Sequence, residues 1–191
     1  MKKLLLGIAA VCLAGFTFAQ DAPLWMRHSV ISPDGTTIAF TYKGDIYTVP
    51  VAGGRAMQIT TNPAYDTAPV WSPDSKRIAF ASDRMGSLDV YIVAKDGGEP
   101  RRLTTHSGSE TPLAFTDAGH VLFSAGIMPS AEAVVFPSNG QFNQVYRVSV
   151  EGGRPTMISS MPMECISINK EGAMLYQDKK GYEDYRSEEH T

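Results

Sequence analysis

Residues able to do chemistry are few and scattered in this chain. There are four histidines, His28, His106, His120 and His190, and two cysteines, Cys12 and Cys165. The histidines form no metal-ligand spacing such as His-x-x-x-His with one another, and none is paired with Cys, Asp or Glu as a ligand set. His28 and His120 fall within or beside expected strands, where a hydrogen-bonded structural role is the simpler reading. Nucleophilic catalysis has no local signature, since no Gly-x-Ser-x-Gly elbow occurs. A phosphate-cradling glycine loop is missing too.

Asp83-Arg84 has two readings. It is either a polar group at the mouth of the fold, placed to meet a peptide terminus, or an ion pair inside the fold beside a turn. The second is adopted. Arg101 and Arg102 are adjacent and are read as preceding a strand, so at least one of them should reach solvent. No catalytic, cofactor-binding or metal-ligating residue is assigned, and no cofactor is expected.

The elements that hold these side chains show up as repeats. Val30-Ile31-Ser32-Pro33-Asp34-Gly35 returns 40 residues later as Val70-Trp71-Ser72-Pro73-Asp74-Ser75. A weaker copy, Ala114-Phe115-Thr116-Asp117-Ala118-Gly119, follows 44 residues on, and Ser167-Ile168-Asn169-Lys170-Glu171-Gly172 is a fourth. A second unit trails the first three copies. Asp45-Ile46-Tyr47, Asp89-Val90-Tyr91 and Gln144-Val145-Tyr146 each run on to a Gly-Gly pair, at Gly53-Gly54, Gly97-Gly98 and Gly152-Gly153. Short runs then close the units: Gln58-Ile59-Thr60, Arg102-Leu103-Thr104 and Met157-Ile158-Ser159.

In Ser-Pro-Asp-Gly, proline presets φ, aspartate bonds back to the backbone, and glycine accepts positive φ. The Gly-Gly pairs supply the next hairpin turn. Four short strands per 40 to 45 residues is the period of a β-propeller blade. A linear solenoid is the less natural alternative. The fold class is therefore all-β, a partial propeller of about three and a half four-stranded antiparallel blades. The blades are placed at about 24–60, 66–104 and 110–159, with a half blade at 164–185. Trp71 and Phe115 stand at equivalent positions and should fill the space between blades. Extra residues at about 126–143, rich in Gly, Pro and Ser, read as a surface loop.

Composition agrees. Of 191 residues, 43% are hydrophobic and 19% charged, with 17 Gly and 12 Pro. That is globular and strand-rich rather than disordered or a helical bundle. The formal net charge is -3, which gives no electrostatic case for nucleic acid or an anionic membrane.

The N-terminus reads as an export signal over residues 1–19. Lys2 and Lys3 precede an apolar run at 4–16, and Thr17-Phe18-Ala19 supplies small residues for cleavage. An uncleaved anchor is disfavoured by the short run, and lipid attachment at Cys12 by Val11 before it. Cleavage takes 17 basic residues to 15 against 20 acidic ones. Only Cys165 then remains, so no internal disulfide is expected. A periplasmic location in a Gram-negative bacterium fits, with no membrane span after cleavage.

The order of motifs is more specific than the repeat alone. Pro23-Leu24-Trp25-Met26-Arg27, Tyr42-Lys43-Gly44-Asp45-Ile46-Tyr47, Pro63-Ala64-Tyr65-Asp66, Phe80-Ala81-Ser82-Asp83-Arg84 and Asp178-Lys179-Lys180-Gly181-Tyr182-Glu183 occur in series. The series resembles the N-terminal, TolB-type propeller of bacterial tricorn-type, tail-specific serine proteases, over about residues 23–185. The resemblance implies a parent enzyme in which propellers precede a PDZ-like module and the catalytic domain. The chain would then gate or scaffold access for peptide or protein substrates and carry no catalytic residue. It also leaves room for a homo-oligomer of the full-length parent. A TolB-like interaction propeller is the alternative, and a prolyl-oligopeptidase relative a third. The tail at 186–191, Arg186-Ser187-Glu188-Glu189-His190-Thr191, matches the peptide that a sequencing adapter encodes. It is expected to be artefactual, and the chain a fragment.

Overall fold

A computed structural model of the chain describes residues 25–126, 143–159, 163–169 and 172–178. The expected signal segment, most of the expected loop at about 126–143 and the expected artefactual tail at 186–191 lie outside these residues. Every regular element described is a strand. β1 (Arg27–Ile31), β2 (Thr37–Tyr42), β3 (Asp45–Pro50) and β4 (Met57–Gln58) form one antiparallel sheet in chain order. β5 (Asp66–Trp71), β6 (Arg77–Ser82), β7 (Asp89–Ala94) and β8 (Arg101–Arg102) form the second. β9 (Glu110–Asp117), β10 (His120–Ala125), β11 (Gln144–Ser149) and β12 (Thr156–Ser159) form the third. β13 (Met163–Ile168) and β14 (Met174–Asp178) pair as a two-stranded sheet. Arg101 and Arg102 thus constitute a fourth strand instead of preceding one.

The repeated sequence makes repeated turns. Ser32 and Ser72 donate their hydroxyls to Asp34 and Asp74 and accept from the backbone N–H of Thr37 and Arg77. The two aspartates also accept from Thr36 N and Lys76 N. These bonds, the serine hydroxyl first, hold both carboxyls below the usual carboxylate range. The fourth turn residue is left-handed in both copies, with φ of 72° at Gly35 and 57° at Ser75. The second turn type closes on glycine pairs: Gly53 N, Gly97 N and Gly152 N donate to Pro50 O, Ala94 O and Ser149 O. All six glycines of these pairs have positive φ, which a Cβ would penalise.

Within each sheet the second and third strands carry a facing aromatic pair. Phe40–Tyr47, Phe80–Tyr91 and Phe123–Tyr146 are register partners. Their rings stack with centroids 5.8, 5.9 and 5.7 Å apart, a contact worth more than its buried area alone.

Between sheets, the first strands do the joining. β5 packs on β1, β2 and β3, while β9 packs on β5, β6 and β7 and meets β13 on its other side. Two apolar clusters fill these joints. Trp71 lies with Ala39, Ile46, Ile59, Ile78 and Phe80 between the first and second sheets. Phe115 lies with Ala79, Val90, Ile92, Leu103 and Val121 between the second and third. The equivalence of Trp71 and Phe115 expected from the repeat therefore holds in space. Trp71 also donates its indole N–H to Val30 O across the joint, at 3.2 Å.

Ser75 keeps a side chain at a position glycine would fit because its hydroxyl accepts from Asp34 N at 3.1 Å, linking the turns of two sheets. Both Ser75→Gly and Ser75→Ala lose that bond, but only alanine retains the left-handed strain. Ser75→Ala should therefore be less stable than Ser75→Gly by about 1 kcal/mol, as measured by urea denaturation.

Candidate functional site

The first strands of all four sheets face one cavity of about 900 Å³. Val30, Ile31, Val70, Trp71, Leu113 and Phe115 supply apolar wall, together with Ile166 and Ile168 of β13. Pro33, Pro73, Asp117 and Asn169, at or just past the ends of these strands, complete the lining. Adjacent residues such as Val30-Ile31 and Val70-Trp71 both line it, so the cavity follows the ends of the strands rather than one face of each.

The opposite ends of the same strands are held by polar joints. In the first sheet Thr60 Oγ1 accepts from Ile46 N at 3.0 Å and donates to Asp45 at 3.3 Å. Gln58 donates to the other Asp45 oxygen at 3.0 Å. Burial pushes the Asp45 carboxyl up, the Thr60 hydroxyl pulls it back, and nearby Asp66 pushes it up again. The second sheet repeats the device. Thr104 Oγ1 accepts from Val90 N at 2.9 Å, and Arg102 Nη2 lies 2.8 Å from Asp89 Oδ2.

The next sheet then begins with a buried acid whose amide closes the joint. Asp66 N donates to Gly44 O, and Glu110 N to Leu88 O, both at 2.7 Å. Both acids are fully buried. Asp66 is paired: Arg84 Nη2 reaches its two oxygens at 3.0 and 2.9 Å, while Arg84 Nε donates to Ser82 Oγ at 2.8 Å. The guanidinium also lies over the Tyr91 ring at 4.6 Å and the Phe80 ring at 5.6 Å.

Arg84 is thus an ion pair within one sheet beside a turn, with Asp66 rather than Asp83 as its partner. Asp83 accepts from Tyr65 N at 2.7 Å. Arg101 bonds Val150 O and, at 2.8 Å, Glu151 of the third sheet. It is half exposed, as at least one of the two adjacent arginines was expected to be.

The described histidines sit in local polar contacts. His28 Nδ1 lies 3.1 Å from Thr67 Oγ1 across the first joint. His120 lies 3.0 Å from Asp117 at the exposed head of a hairpin. His106 Nδ1 accepts from Gly108 N and stands 3.9 Å from Glu110. No group of three or more His, Cys, Asp or Glu able to hold a metal exists among the described residues. His190 and Cys12 lie outside them, and Cys165 falls in β13. The sequence did not single out Asp66 and Glu110 as buried acids. A signal was present, since each follows a strand-closing threonine by six residues, Thr60 and Thr104.

Radially packed four-stranded antiparallel sheets whose first strands share one cavity define a β-propeller, here with an unclosed ring. The comparisons narrow this class. The chain belongs to the tricorn protease N-terminal beta propeller domain family, whose match covers residues 23–190.

Among curated proteins it is 35% identical over 102 residues to tricorn protease homolog 1 of Streptomyces coelicolor, covering 53% of this chain and 9% of that protein. It is 30% identical over 129 residues to the uncharacterized peptidase YuxL of Bacillus subtilis, covering 66% of this chain and 20% of that one. A 55-residue stretch is 44% identical to the Tol-Pal system protein TolB of Bordetella pertussis, covering 28% of this chain and 13% of that protein. The chain therefore spans a fifth or less of these relatives. Among solved structures, a putative TolB from Agrobacterium tumefaciens superposes with a TM-score of 0.66 at 17% identity. The match covers 82% of this chain and 55% of that one, and it shows the shared fold. No helix among the described residues is long and apolar enough to cross a membrane.

Two substitutions test the first joint. Asp66→Ala leaves Arg84 buried without its carboxylate and should cost about 3 kcal/mol or more in urea denaturation. Trp71→Phe keeps most of the apolar fill but removes the indole's hydrogen bond to the Val30 carbonyl, and should cost about 1 kcal/mol.

Proposed function

We propose that the chain is the propeller portion of an exported serine peptidase and that it guides or screens peptides instead of cutting them. The observation carrying this reading is the cavity built by the first strands of all four sheets, in a chain of the tricorn propeller family. Its volume is in the range of ligand sites, and its mostly apolar wall suits side chains of an extended peptide better than a charged ligand. The export signal read over residues 1–19 supports a periplasmic setting. The named relatives being peptidases supports a catalytic domain elsewhere in the parent. Homo-oligomerisation would be a property of that parent.

The short, strong match to TolB favours a second reading, an interaction propeller that binds a folded envelope protein. Both readings leave this chain without a nucleophile–base arrangement. They differ in the occupant of the cavity.

Trp71 lines the cavity and provides the readout. The full chain carries two tryptophans, so Trp25→Phe leaves Trp71 as sole emitter. Unstructured peptides should change its emission saturably and be recovered uncleaved by mass spectrometry. An unchanged signal would remove the guiding role and leave the TolB-like reading. Hydrolysis abolished by substituting a residue of this chain would overturn the expectation that it carries no catalytic group.

A further inference from the structure

The two polar joints are built alike but balanced differently. At the first, the buried acid Asp66 has Arg84, which lies two residues past the end of β6. Two residues past the end of β10 the sequence has Ile127, and residues 127–142 contain no lysine or arginine. Glu110 is therefore the counterpart of Asp66 without the guanidinium. It is fully buried, and neither carboxylate oxygen makes a hydrogen bond of ordinary geometry.

Three charged or titratable groups from the second sheet and its connection face Glu110. They are Asp89 of β7, Arg102 of β8, and His106 at 3.9 Å. Asp89 is itself fully buried and already engages Arg102 at 2.8 Å, as an ion pair without hydrogen-bond alignment. Two buried carboxyls thus share one guanidinium. Ionising both in a low-dielectric site is unfavourable unless another cation arrives.

We propose that Glu110 is a proton-operated latch between the second and third sheets. Neutral, it lets β9 seat against β7; ionised, it meets Asp89 and loosens the joint. Burial raises the carboxyl from 4.5 to about 7, with Asp89 adding to the rise and the Thr104 hydroxyl, Arg102 and the His106 amide opposing it. The seated state therefore holds the proton more tightly than the opened state does. The latch's stabilisation is complete below the ordinary carboxyl value and is lost as pH rises towards 7. The joint tightens on acidification.

Hydrogen exchange of the full chain, corrected for intrinsic rates and followed by mass spectrometry, reads this directly. Protection of peptides spanning β9 and β10 should fall between pH 5 and 7, by up to about tenfold per pH unit, and level off above. Peptides spanning β1 and β2, which do not pack on β9, should fall less. Glu110→Gln should abolish the fall. Asp89→Asn removes the like charge and should shrink it. Flat protection of β9 and β10 in the unaltered chain would overturn the proposal. So would a fall that persists in Glu110→Gln, and one that vanishes only in His106→Gln would assign the titration to the imidazole.

Discussion

A four-stranded sheet of this kind has two apolar faces, and each must be covered by a neighbouring sheet. Everything else in the structure follows from that requirement. Position for position, Ile31, Trp71 and Phe115 occupy the same place in three successive sheets. Trp71 and Phe115 are 8% and 6% exposed, because a preceding sheet lies against each. Ile31 is 58% exposed, since no described sheet lies before the first. Composition does not decide this difference; the neighbour does. Covering a side chain of that size contributes about 1.5–3 kcal/mol, so sheet-to-sheet contact is the main source of cohesion, as in other stacked repeats.

Apolar contact alone would let the sheets slide, and the polar joints prevent it. The threonine that ends one repeat binds the amide at the head of the third strand. The acid that opens the next repeat donates its amide to a carbonyl of the previous sheet. These bonds satisfy backbone groups that burial would otherwise leave without partners, and they fix where each sheet starts against the last. Carboxyls are thereby carried into dry surroundings. Arg84 answers that demand at one joint, with Nη2 on both Asp66 oxygens and its guanidinium over the Tyr91 ring.

Local features of this architecture were legible because their causes are local. Ser-Pro-Asp-Gly and Gly-Gly encode their turns by backbone preference. The facing Phe-Tyr pairs were not read, because they rest on the register of each hairpin. Trp71 and Phe115 were legible because a repeat places equivalent residues in equivalent surroundings. The acids at the joints were harder. Asp66 meets an arginine 18 positions away, at the far end of a neighbouring strand, and that proximity depends on sheet pairing rather than on spacing. The fourth strands were also blurred. β4 and β8 are two residues long, too short for an alternating pattern, so Arg101-Arg102 resembled an approach to a strand.

Because successive joints differ, the sheets are not interchangeable parts. One interface is keyed by an indole that reaches a carbonyl and by an arginine clamp. The next uses a phenyl ring and a carboxyl with no clamp of its own. A repeat protein built from near-copies risks docking a sheet against the wrong neighbour while it folds. Here a transposed pair would strand a guanidinium or leave an indole without its acceptor. The assembly order is thus written into the seams, and divergence between the copies acts as proofreading.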